Sequence, residues 1–208
     1  DEETLDKARK TALRLATGMN QKAMKRLVRD NLTEVIEPIV YDDAIDLIEE
    51  HKLKGHLLVL ISASPTEIVE PLAEHLGINE FIATTPVVDS EGRYTGEVEF
   101  YAAGANKAEA IIDLSLEKNI SLQNSWAYSD SSTDLPMLEL VGNPVAVNPD
   151  RELRKQAEER NWPVLEFVRP IALGDRVPLN RKWIAVTVLT FLLGTGLVKT
   201  IKRLRSTN

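Results

Sequence analysis

The sequence predicts an α/β fold, with a Rossmann-like, mostly parallel sheet covered by helices on both faces. Three observations predict it. Short continuous apolar runs recur along the chain, as expected of strands buried on both faces. Segments with helical periodicity lie between them. From about residue 57 the two kinds alternate, as parallel strands joined by crossover helices do. Ligands of such sheets sit at the carboxyl ends of the strands. The residues that follow each apolar run are therefore the ones to read for function.

The chain has 208 residues, 43% of them hydrophobic, enough for a sizeable core. It has no cysteine, which excludes disulfides, thiolate zinc sites and cysteine nucleophiles together. The formal net charge of -7 argues against nucleic acid as a general partner. An acidic protein that handles phosphate needs locally placed cations, either a metal ion or a specific lysine. The first residue is Asp1, with no signal peptide behind it, and the chain reads as starting inside a longer protein.

Residues 1 to about 40 are helical in pattern, rich in Ala, Leu, Met, Lys and Arg. Gly18 and Asn20 mark a break, and "QKAMKRLVRDNL" follows as a second helix. Pro38 interrupts the next stretch. "YDDAIDLIEEHKLKG" is amphipathic, with Ala44, Ile45, Leu47 and Ile48 on its apolar face and Gly55 closing it. "LLVLI", 57 to 61, is the first buried strand, and "SPTEIVEPLAEHLG" is a helix opening with Ser64 as N-cap and Pro65 at its first position. "FIATT" is a second strand. "PVVDSEGRYTGEVEF" reads as a hairpin with Glu91 and Gly92 in the turn. Then come a helix in "NKAEAIIDLSLEKN", a strand in "SWAY", a short helix in "TDLPMLELVG", a strand in "PVAV", a helix in "DRELRKQAEERN" and a last strand in "PVLEF".

Residues 174 to 182 form a basic linker, followed by "WIAVTVLTFLLGTGLV", 183 to 198. That uncharged run makes about 24 Å of helix, short of the ~20 residues a span usually needs. Basic residues at both ends (Arg181, Lys182, Lys199, Lys202, Arg203, Arg205) extend its reach by snorkelling. The segment reads as a C-terminal apolar helix making membrane contact, against the alternative of a buried helix.

Three strand ends carry polar residues suited to phosphate chemistry. "LLVLI" leads into Ser62, Ala63 and Ser64, where a hydroxyl and backbone N–H groups at a helix start suit a phosphate oxygen. Taken alone, the feature reads better as Ser64 capping the helix and Ser62 as a turn residue. Lys107 lies in the first turn of a helix, where a cation opposes the dipole unless it faces an anion. A solvated surface lysine is the alternative. "WAYSDSSTDLPML" sets Asp130 after a strand and Asp134 four residues on. Neighbouring carboxylates raise each other's pKa unless a cation lies between them. Magnesium takes one or two carboxylates and fills its remaining positions with water and substrate phosphate. Helix capping by Asp130 or Ser132 is the competing explanation.

In order, strand-Ser, helix-start Lys and strand-Asp-x-x-x-Asp resemble the haloacid dehalogenase superfamily, in detail its phosphoserine-phosphatase-like branch (subfamily IB). "LLVLISAS" resembles the second motif of that family, "GANKAEAI" the third and "YSDSSTDLPML" the fourth. The hairpin "GRYTGEVEF" before the lysine is also typical of the branch. The resemblance runs from about Tyr41 to Phe167. It implies Ser62 and Ala63 as phosphate-binding residues, Lys107 as the lysine that steadies phosphate and nucleophile, Asp130 as magnesium ligand and Asp134 as its supporting acid. Ala63, Ser129 and Ser131 stand where the family has glycines.

The family's first motif, Asp-x-Asp-x-Thr after an apolar strand, supplies the nucleophile and the general acid–base. It is absent from this sequence. "YDDAID" has the acids at the wrong spacing and in a helical pattern. In the branch that motif precedes a helical cap, which residues 1 to 40 fit, so it is expected upstream of Asp1.

The organisation expected is a partial helical cap over 1–40, an α/β core of the haloacid dehalogenase type over 41–173, and a basic linker with apolar helix over 174–208. The resemblance implies a Mg2+-dependent hydrolase of small phosphomonoesters acting through an aspartyl-phosphate, inactive as this piece alone. It is read as cytoplasmic, with membrane contact through 183–198. The rival reading is a non-catalytic, membrane-tethered α/β binding module. Arg9, Arg14, Lys22, Lys25, Arg26 and Arg29 are candidates to meet an acidic substrate, or else a solvated helix face. The phosphatase reading requires Ser62, Lys107 and Asp130 to converge at one edge of a common sheet.

Overall fold

A computed structural model describes residues 16–36 and 40–168. The expectations for residues 1–15 and 174–208, the apolar 183–198 segment included, lie outside the described residues.

Helix α1 (Gln21–Ile36) begins where expected, because the Asn20 Oδ1 accepts the Ala23 N–H at 3.1 Å and caps it. Just before it, the chain is pinned to a distant hairpin. Gly18 N donates to Tyr94 O at 2.8 Å, and Tyr94 N donates to Met19 O at 3.1 Å. The side of α1 then meets α3 (Thr66–His75) in three polar pairs. Gln21 donates to Glu67 at 2.8 Å, Lys25 pairs with Glu70 at 2.8 Å, and Arg29 with Glu74 at 3.3 Å. Four-residue steps on one helix against steps of three and four on the other keep all three on facing sides. Lys25 and Arg29, candidates for an acidic substrate, instead face α3 carboxylates.

Helix α2 (Asp42–Leu53) ends just before Gly55, whose φ of 71° favours glycine. Strand β1 (Val59–Pro65) runs longer than the apolar "LLVLI". The expected cap at Ser64 is therefore corrected: Ser64 is a buried strand residue, and Pro65 stands before the first turn of α3. β1 pairs in parallel with β2 (Glu80–Val88), with Ser62 opposite Ala83. β2 also absorbs the first arm of the expected hairpin and pairs antiparallel with β3 (Tyr94–Phe100). The turn is set by Asp89, whose Oδ1 accepts from Glu91 N and Arg93 N at 2.9 Å each.

Helix α4 (Ala105–Glu117) follows Gly104, whose φ of 52° and ψ of -128° suit no other residue well. Strand β4 (Trp126–Ser129) leads through a 3-10 turn (Ser132–Asp134) into the short α5 (Leu135–Leu138). Then come β5 (Asn143–Val147), α6 (Arg151–Arg160) and β6 (Val164–Leu165). β4, β5 and β6 are parallel neighbours in that order.

The mixed, mostly parallel α/β arrangement was expected; one continuous sheet was not found. Among the described residues the strands form two three-stranded sheets, β1-β2-β3 and β4-β5-β6. They nevertheless share a core. Met137, Leu138, Ala146, Leu153 and Ala157 are buried together, and Ile61 of β1 packs against them beside Ala127 of β4. No helix among the described residues is long and apolar enough to cross a membrane.

Candidate active site

The polar residues at the carboxyl ends of β1 and β4 are held by different chemistry. Near the end of β1, Ser62 Oγ accepts the Ser64 N–H at 3.1 Å, where the strand shifts register against β2. The Ala63 carbonyl accepts the Thr84 hydroxyl at 2.8 Å, and the same Oγ1 accepts the Ala102 N–H at 3.2 Å. Thr84 is 2% exposed. This single β2 hydroxyl ties the Ser62 loop to the segment that leads into the Lys107 helix. Sequence reading missed it, since a threonine inside a strand pattern carries no signal of its long-range partners.

Lys107 is buried in the first turn of α4, 7% exposed. A buried ammonium requires an anion, and its Nζ donates to Asp134 Oδ1 at 2.7 Å. The Ser129 hydroxyl donates to the other oxygen, Asp134 Oδ2, at 2.8 Å. Asp134 thus has both carboxylate oxygens engaged. The Ser129 Oγ also accepts the Ser131 N–H at 3.2 Å. Ser129 therefore helps to hold the loop.

Asp130 follows β4 directly and is exposed. Enough protein still surrounds its carboxyl for desolvation to raise its pKa; its own backbone N–H opposes this. The charges of Asp134 and Asp150 push the same way as desolvation, and Lys107 pushes against them. Asp150, in the turn that opens α6, behaves oppositely. Burial works to raise its pKa, but hydrogen bonds from the Leu153 and Ser132 N–H groups and the Ser132 hydroxyl hold it below the usual range.

Of the expected site residues, the structure brings Lys107 and Asp134 into direct contact and sets Asp130 within their field. Ser62 and Ala63 stand at the end of the other sheet, joined to the Lys107 segment through Thr84. No group of three acidic or histidine side chains is gathered as a metal cage among the described residues. The donor set fits a hard cation that needs few protein ligands. Asp130 is a carboxylate crowded by two others, while the nearby ammonium is already engaged by Asp134. Magnesium characteristically takes one or two carboxylates and keeps several waters.

Residues 2–139 match the haloacid dehalogenase-like hydrolase family. A Streptomyces azureus protein named for inhibition of morphological differentiation is 47% identical over 178 residues, covering 86% of this chain and 64% of that one. A probable phosphatase of Mycobacterium tuberculosis is 45% identical, covering 86% of this chain and 62% of its own length. A phosphoserine phosphatase of the same organism is 35% identical, over 76% of this chain and 52% of its own. The chain therefore spans between about half and two thirds of these relatives. A crystal structure of a Bordetella pertussis protein of unknown function overlays with a TM-score of 0.69 at 29% identity, covering 76% of this chain and 72% of that one.

Proposed function

The chain belongs to the haloacid dehalogenase-like hydrolase family, and on that footing we propose that it carries three of the four parts of a phosphomonoesterase site. The observation that carries this reading is the buried Lys107–Asp134 pair at 2.7 Å beside the crowded, exposed Asp130.

In this reading Ser62 and the N–H groups behind it receive a phosphoryl oxygen, at the end of a strand where a helix begins. Lys107 holds the anion's charge, its ammonium fixed in direction by Asp134. Phosphoryl transfer asks chiefly for such positioning and charge stabilisation. Asp130 would hold Mg2+, with Asp134 supporting from behind. The ion supplies charge neutralisation at the transferring phosphoryl group. The nucleophilic aspartate, and with it the aspartyl-phosphate, comes from residues outside this sequence. Among the described residues β1 and β4 each have an edge with no strand beside it, and they lie on one shared core; this supports a further strand between them. Residues up to about 40 act as part of a cap, and the substrate is a small phosphomonoester. For residues 183–198 the reading is membrane contact, which co-sedimentation with anionic liposomes tests.

The deciding experiment compares the 208-residue chain with a version extended upstream of Asp1. Mg2+-dependent hydrolysis of p-nitrophenyl phosphate is expected from the extended protein and not from the chain alone. Turnover by the chain alone, or by an extended Lys107→Ala variant at the unmutated rate, would refute the assignment.

A further inference from the structure

From the β5–α6 corner we infer that Asp150 is a positioning residue for the Asp130 loop, holding it in the form that accepts a divalent cation. The inference rests on the reading of Asp130 as the metal ligand. No sequence motif singled Asp150 out; its position after "AVNP" suggests only a helix cap.

The geometry says more. Asp150 does cap α6, its Oδ1 accepting the Leu153 N–H at 2.7 Å. Its other oxygen turns away from the helix. Oδ2 accepts both the N–H of Ser132, at 2.9 Å, and the Ser132 hydroxyl, at 3.0 Å. The backbone N–H of Asp150 donates to the Asp130 carbonyl at 2.8 Å. One residue thus grips the loop at Asp130 itself and again two residues later.

That grip answers a local need. Ser132 opens a 3-10 turn, and the first N–H groups of such a turn have no partner within it. The Asp150 carboxylate supplies one from another strand end, 18 positions away. With carbonyl and turn both anchored, the Asp130 side chain leaves a backbone of fixed direction. Outer partners of this kind orient metal ligands and commonly affect affinity as much as the ligands' own geometry. The donors that hold Asp150 are neutral N–H and O–H groups, so its negative charge is not cancelled where it faces the Asp130 loop. The same field favours a divalent cation.

The test uses Mn2+ as probe on the 208-residue chain, reading free Mn2+ by electron paramagnetic resonance alongside the thermal midpoint. In Asp150→Ser the hydroxyl still caps α6 but is too short to reach Ser132. Mn2+ binding is expected to weaken by about 10–100-fold, with little change in midpoint. Asp150→Asn and Ser132→Ala, which leave the cap in place, are expected to weaken it by smaller factors. They carry the test if Asp150→Ser does not fold. A capping role alone would leave binding untouched in all three variants, because each keeps the cap. Unchanged binding in these variants, with binding lost in Asp130→Asn, overturns the inference and leaves the metal reading standing. Absence of Mn2+ binding in the unmutated chain, or full binding by Asp130→Asn, overturns the metal reading itself and the inference with it.

Discussion

The two half-sheets end in opposite electrostatic settings. The carboxyl-terminal part of β1 is neutral: Ser62, Ala63 and Ser64, held from below by the Thr84 hydroxyl. The β4 end is acidic: Asp130 and Asp134 follow β4 and Asp150 reaches in from the β5–α6 corner, held by a lysine, two serines and a helix cap. A neutral cradle of hydroxyl and N–H groups suits an anion, and crowded carboxylates suit a cation. Between them stands Lys107, the one buried lysine or arginine among the described residues. The contrast teaches that two strand ends of one small core can carry opposite chemistry, because different side chains hold each of them.

The comparison breaks most severely at Lys107. Lys107→Ala leaves Asp134 buried without its counter-charge, and losing one partner of a buried pair costs about 3–5 kcal/mol. Urea unfolding checks this; a loss under about 1 kcal/mol, on the order seen for exposed pairs, would mean that the pair is solvated. Next comes the core beneath the acidic end. Leu153 is fully buried among Met137, Leu138, Ala146 and Ala157. Leu153→Ala is expected to cost about 2–5 kcal/mol, and it should deprotect the β4–β6 amides in hydrogen exchange before those of β1–β3. Uniform deprotection would show that the halves unfold as one unit.

The neutral end is tested by Thr84→Val, which keeps the shape and removes the hydroxyl. The Ala63 carbonyl and the Ala102 N–H then lose their partner, at a cost of about 1–3 kcal/mol. The loosening should be confined to the Ser62 loop and the approach to α4; exchange rates unaltered there would remove Thr84 from the site.

The smallest effect concerns His51, which joins α2 to the acidic half. It is 7% exposed, with one ring nitrogen 2.8 Å from His56 Nδ1 and the other 2.8 Å from the Tyr128 hydroxyl. Burial lowers its pKa below the ordinary 6.5, with the charges of His56 and Lys54 acting the same way and Glu50 opposing. Below 6.5 the unfolded chain therefore binds the proton first, so this contribution to stability is full above that pH and declines as pH falls through the window beneath it. His51→Gln should reduce the drop in thermal midpoint between about pH 7 and pH 5. An undiminished drop would assign the slope to other groups.

Element type and order were legible because they depend on local pattern. Apolar runs and helical periodicity located the described strands and helices of the core, and the Asn20 cap and the Gly92 turn are encoded within a few residues. Lys107 and Asp134 could be nominated from a family resemblance in their motifs. Ser64 misled, because a serine before a proline looks the same whether the strand has ended or not; the pairing of β1 with β2 decides that. Thr84 and Asp150 were invisible for the same reason, since their partners lie 18 to 21 positions away.

By itself, then, the sequence determined the order of helices and strands in the core, since that follows from short-range sterics and the burial of apolar faces. Tertiary structure alone decided which charges meet. It put Lys25 and Arg29 against α3, Lys107 against Asp134, and Asp150 under the Asp130 loop. Hydrogen bonds and ion pairs act over about 3 Å, and only packing brings distant parts of a chain that close.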